Sequence, residues 1–253
     1  MAHEHLISGI HNYCDRWCER CLFLDRCTLG VIELKRWAKG KDWRPEDFMR
    51  ELDALFDEPA NEAPWLEEMD FPMDEPVEEE VPDAQTEARQ KDLRESGIRY
   101  YRAMQAFLNV QKTRLEDRRM DMTGAHIEGR DQHERSALAE ALEVISWYVH
   151  FMFVKANRAL SGLEDMHEDH WDGAQQSDAN GSAKLAILAA QRSIGAWKMV
   201  HRHWPDQGET IAGLIRQIDQ FRRIMEDYFP DWQQFIRPGF DTEPPPATRF
   251  GDN

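Results

Sequence analysis

Between Asp57 and Ala88 the chain carries thirteen acidic residues and no Lys, Arg or His, and Pro59, Pro64, Pro72, Pro76 and Pro82 interrupt it. Proline removes a backbone donor and clashes with the preceding helical turn, so neither a continuous helix nor a central strand can run through such a stretch. Its like charges repel, and it holds too little apolar surface to offset the entropy of ordering. Residues 57–88 therefore read as an acidic, Pro-rich linker that divides the 253 residues into separately folding parts. Trp65, Leu66, Met69, Phe71 and Met73 interleave apolar handles with the acids. They are expected to lie in a groove of the second part beside Arg99, Arg102, Arg114, Arg118 and Arg119, an attraction that salt would weaken.

Beyond the linker, apolar residues recur at helical spacing in four long stretches, from about 86 to 122, 131 to 163, 182 to 203 and 208 to 228. Tyr100, Met104, Phe107, Leu108, Gln111 and Leu115 mark the first, and Ile211, Leu214, Ile215, Ile218, Phe221, Met225 and Phe229 the fourth. The second carries two adjoining stripes, Leu138 to Leu160 and Val144, Trp147, Phe151 and Val154, and is expected to be the most buried. No segment alternates with period two. The pattern predicts an all-α protein: an antiparallel four-helix-bundle-like domain over 89–236 with an N-terminal helical Cys-rich metal-binding segment over 1–56. The tail, 237–253, contains Pro244-Pro245-Pro246 and is expected to be extended or disordered.

All four cysteines, Cys14, Cys18, Cys21 and Cys27, fall within fourteen consecutive residues. Concentrated thiols in a chain too large to need disulfide staples point to a metal. If residues 6–22 form an α-helix, His11, Cys14, Cys18 and Cys21 share an arc of about 80°. Cys27 would then fall on the opposite side, so the chain must turn between Leu22 and Cys27 to close a four-thiolate site. The C-x3-C-x2-C run of Cys14, Cys18 and Cys21 resembles the cluster-binding motif of radical SAM enzymes, over those three residues alone. Such enzymes leave one iron open, whereas Cys27 offers a fourth ligand here. They also need a β/α barrel that a strand-free pattern lacks, so only cluster binding is implied.

A [4Fe–4S] cluster held by the four cysteines is the first expectation, with His11 as an accessory group. Zinc is the alternative, and reduced or redox-active thiols without metal the third reading. Tyr13, Trp17 and Phe23 would shield such a centre or simply bury the segment. Arg16, Arg20 and Arg26 would balance its charge or pair with Asp15, Glu19 and Asp25. The function these residues imply is a redox or sensing metal-binding protein whose bundle offers a surface to a protein partner. The alternative is a zinc-stabilised interaction or structural protein without catalysis.

A net charge of −17 disfavours nucleic acid as a partner. The longest apolar run, Leu185 to Ala190, is too short for a membrane span, and Met1-Ala-His-Glu-His is unlike a signal peptide, so a cytoplasmic location is expected. Glu164 and His167 form one Glu-x-x-His half of a di-iron site, but no second half exists, and Glu164–Asp172 reads as a solvated loop. Glu143, Trp147 and His150 share a helix face, as a buried polar pair or a proton-handling dyad. Asp178, Asn180 or Ser182 would cap the third helix, with Lys184 near an anion-binding start. No phosphate loop, dinucleotide fingerprint or nucleophile–base pair supports an enzyme.

Overall fold

The computed structural model describes residues 5–56, 84–124, 129–163 and 174–242, without the side chains of 52–56, 85–86, 113–124 and 129–136. Those residues are all-helical, with six α-helices and no strand. The helices are α1 (Thr28–Lys39), α2 (Pro45–Phe56), α3 (Ala84–Gly124), α4 (Gly129–Ser161), α5 (Asp178–His203) and α6 (Gly208–Tyr228). The chain divides into two compact units, one of residues 1–81 with 237–253 and one of 82–236. Helix α3 thus begins within the last residues of the acidic stretch, once its final proline is passed. The handles Trp65 to Met73 and the loop Glu164–Asp172 lie outside the described residues.

In the larger unit α3 packs against α4 and α6, and α5 against α4 and α6. Tyr100, Met104, Phe107 and Gln111 line the inner face of α3, as the helical spacing implies. Ile211, Leu214, Ile218, Phe221 and Met225 do so for α6. Trp197 Nε1 donates to the Tyr100 hydroxyl at 2.9 Å, so two large polar aromatics share a buried hydrogen bond. Phe107 meets Trp197 edge-on at 5.3 Å, and Phe153 meets Phe221 at 4.9 Å.

The most buried helix is α5, not α4. Ala179, Ala183, Ala186, Ala189, Ala190 and Ala196 are all buried on it. Their small side chains let neighbouring backbones approach on several sides, which a bulkier helix would prevent. On α4, Ile145, Met152, Ala156, Ala159 and Leu160 are buried, but Trp147 and Val154 of the second stripe are exposed. By length and composition alone Ala137–Ser161 could cross a membrane, a property that a count of consecutive apolar residues misses. Its buried stripe is the one that packs on α5 and α3.

Two details of the ends follow from local chemistry. Ser177 caps α5, its hydroxyl accepting from Asn180 N at 3.2 Å, one residue ahead of the cap positions read from sequence. Lys184 Nζ donates to the carbonyl of Phe235 at 2.5 Å and so is committed to the chain rather than to an anion. Glu143 and His150 both lie on the exposed face of α4, so they form no interior dyad. The His150 ring instead sits 5.1 Å from that of Tyr101.

Candidate metal centre

In the smaller unit the expected helix over residues 6–22 does not form. Three short 3-10 turns replace it, Ile10–Tyr13, Cys18–Arg20 and Leu24–Arg26. Gly9 and Arg16 adopt positive φ (70° and 58°), which breaks any regular helix on either side of Cys14. The Asp15 carboxylate accepts from Trp17 N at 3.2 Å, a local side-chain bond that competes with helical pairing. An arginine in the left-handed region is uncommon, and such strain gathers at functional sites. The turns wrap Ile10, Trp17, Phe23 and Leu24 inward, all of them buried.

The turn required between Leu22 and Cys27 is present: Arg26 N donates to Phe23 O at 3.0 Å. It delivers Cys27 as the buried N-cap of α1, at the positive end of the helix dipole where negative charge is favoured. Behind it Gly30 presses on the Leu24 carbonyl, where an added Cβ would stand only 2.1 Å from the oxygen. Ile7 N donates to Arg26 O at 2.9 Å and ties the start of the chain to the same turn.

The outcome is one small cavity of about 20 Å³ lined by all four cysteines. Ile10, Trp17, Leu24 and Phe240 supply its apolar wall, with Asp15 and Arg16 beside them. Burial pushes the thiols of Cys14 and Cys21 up, and pushes Cys18 up to about 11. Mutual repulsion adds to this, because Cys14 feels Cys27, and Cys18 and Cys21 each feel Cys14 and Cys27. Two backbone groups act the other way. The N–H of Arg16 donates to the Cys14 sulfur and that of Phe23 to the Cys21 sulfur, both favouring the thiolate. Four clustered thiols thus oppose one another's ionisation, while amide donors act on two of them.

The cysteines thus share a cavity, as a common site requires. No group of three or more His, Cys, Asp or Glu among the described residues is arranged to hold a metal ion as it stands. His11 does not line the cavity; its carbonyl accepts from Cys14 Sγ at 3.5 Å. Its buried Nδ1 has no hydrogen-bond partner among the described residues. Burial, reinforced by Arg16, lowers its pKa and keeps the imidazole neutral. Of the flanking arginines only Arg16 lines the cavity, whereas Arg20 stacks over Trp17 at 4.0 Å and Arg26 Nε donates to His5 O at 3.3 Å.

Phe240 is the residue that sequence reasoning missed. It comes from the tail, and its ring meets Phe23 edge-on at 5.2 Å. An aromatic after a Pro-Gly turn was the available signal. Comparison with known protein families, curated proteins and solved structures finds no match for this chain.

Proposed function

We propose that the chain is a metal-binding protein that ligates a [4Fe–4S] cluster through Cys14, Cys18, Cys21 and Cys27, in a redox or sensing role. The observation that carries the reading is the convergence of all four cysteines on one apolar-walled cavity, with amide donors on two of the sulfurs. When bound, such a cluster supplies one-electron chemistry tuned by hydrogen bonds to sulfur and by exclusion of water. Ile10, Trp17, Leu24 and Phe240 would exclude the water, Arg16 would offset cluster charge, and the neutral His11 would stand behind Cys14. A thiol-held centre of this kind suits a reducing, cytoplasmic setting. The larger unit reads best as an antiparallel four-helix-bundle-like scaffold. The exposed Ile98, Tyr101, Val110, Trp147 and Val154 on α3 and α4 are the surface it would offer a protein partner.

Zinc is the second reading, and the cavity volume favours it. About 20 Å³ suits one ion better than a cubane, which would have to spread the turns. Anaerobic purification with metal analysis decides between them. Broad absorbance near about 400 nm that bleaches with dithionite, lost in Cys18→Ser, supports the cluster. A colourless protein with one equivalent of zinc overturns the cluster and supports a structural centre. Protein that takes up neither metal refutes both.

A further inference from the structure

The cavity is closed by a piece of chain from the far end of the sequence. Nine of its ten lining residues belong to the stretch Ile10–Cys27; the tenth is Phe240. The turn that carries Phe240 is held from within. Arg237 N and Nη2 donate to the Asp241 carboxylate at 3.0 and 2.8 Å, and Asp241 N returns a bond to Arg237 O at 3.1 Å. Gly239 N donates to Thr242 Oγ1 at 3.0 Å, and the Arg237 guanidinium lies over the Phe240 ring at 5.1 Å. Gly239 has φ of 75°, and a Cβ there would come within 2.7 Å of Ile10 Cδ1 and 3.0 Å of Ile7 Cδ1. Residues 237–242 therefore form a self-bonded wedge whose tip, Gly239–Phe240, presses apolar surface onto Ile7, Ile10 and Phe23 at the mouth of the thiol cavity.

We infer that this turn is a detachable strap over the cysteine cavity, which seals the thiols and what they hold when docked and exposes them when it lifts. Arg237, Gly239, Asp241 and Thr242 bond with one another, so the turn carries its own shape. Its grip on the cavity is a ring against Phe23 and a glycine against Ile7 and Ile10. A strap of that kind sets how fast solutes and oxidants reach the site and makes that rate adjustable by anything that engages the tail. The inference rests on the metal-site reading for its purpose, but its geometry can be tested with and without metal.

The test uses the full-length protein. In the metal-free, reduced form, iodoacetamide labelling of the four cysteines is followed by mass spectrometry for the wild type, Phe240→Ala and Phe240→Leu. Labelling about tenfold faster in Phe240→Ala, largely restored by leucine, supports the strap. Equal rates in wild type and Phe240→Ala overturn it. Should Phe240→Ala label as fast as urea-unfolded protein, Arg237→Ala, which loosens the turn and keeps the ring, decides in its place by the same criterion. In metal-loaded protein the same variants should surrender metal to a chelator faster, and unchanged release would overturn the protective role. A wild type that holds no metal refutes the metal-site reading, while the labelling rates still judge the strap.

Discussion

The substitution Gly30→Ala tests how tightly the cysteine turns are built. On an exposed helix the change would stabilise α1 by about 1 kcal/mol, because alanine loses less backbone entropy. Here the added Cβ would lie 2.1 Å from the Leu24 carbonyl oxygen, 2.8 Å from its carbon and 2.9 Å from Leu24 Cδ1. Two of those atoms are backbone, so no side-chain rotation relieves the clash. Either α1 or the turn Leu24–Arg26 must shift, and that turn delivers Cys27 to the cavity. Overpacking of this kind costs about 1–3 kcal/mol, at the upper end for contact with main chain. After subtraction of the helix gain, a net loss of about 1–2 kcal/mol remains, a factor of roughly 5–30 in the open population. Because every cysteine of the chain lies in this unit, thiol labelling reports its opening without interference from the other. Labelling of metal-free Gly30→Ala should therefore be roughly 5–30 times faster than wild type under conditions where opening is a pre-equilibrium. An unchanged or slower rate would refute the close approach of α1 to the Leu24 carbonyl and with it the account of how Cys27 is placed.

Tyr100→Phe should destabilise the larger unit by about 1–3 kcal/mol in urea unfolding, since it leaves the buried Trp197 Nε1 without its acceptor. Burial raises the Tyr100 pKa above its ordinary value of 10.0, so the folded unit holds a proton that the unfolded chain releases. The wild type should accordingly lose stability as pH rises past about 10, and Tyr100→Phe should lack that component. Zinc titrated into the reduced protein should release protons and bind more tightly from about pH 6 to about pH 8, because thiols such as Cys18, pushed up to about 11, must ionise to ligate. Calorimetry in two buffers of different protonation enthalpy checks this, and pH-independent binding would exclude the thiols as ligands. Ser177→Ala should cost about 1 kcal/mol by removing the cap of α5, read as a shift in the urea midpoint of the larger unit. Asp47→Asn should make the smaller unit less sensitive to acid. Lys39, and after it Arg44 N and Arg50, hold the Asp47 carboxyl well below the usual carboxylate range. That contribution is present above the ordinary carboxylate pKa and is lost as pH falls below it toward the lowered folded value; acid unfolding followed by far-ultraviolet circular dichroism would show its absence.

The helices of the larger unit were legible because their signal is local and repetitive. Tyr100, Met104, Phe107 and Gln111, or Ile211, Leu214, Ile218, Phe221 and Met225, mark one face by spacing alone, whatever packs on it. The same spacing misjudged α4. Val144, Trp147, Phe151 and Val154 form a second apolar stripe in sequence, but burial depends on how many neighbours a helix has, and the alanines of α5 draw more of them. Periodicity also failed around the cysteines. There, two positive-φ residues and the Asp15–Trp17 bond override a spacing that would suit a helix.

By itself the sequence determined the helical class and which residues carry thiols, both properties of short windows. Where those thiols point depended on turns whose geometry is fixed by contacts, such as Gly30 on the Leu24 carbonyl. The tertiary structure alone placed Phe240 and Gly239 over the cavity, because no periodicity links Ile10 and Phe23 to a turn at the other end of the chain. Such long-range pairing is stabilised by apolar burial, which has no direction and leaves no register in the sequence until the chain has closed on itself.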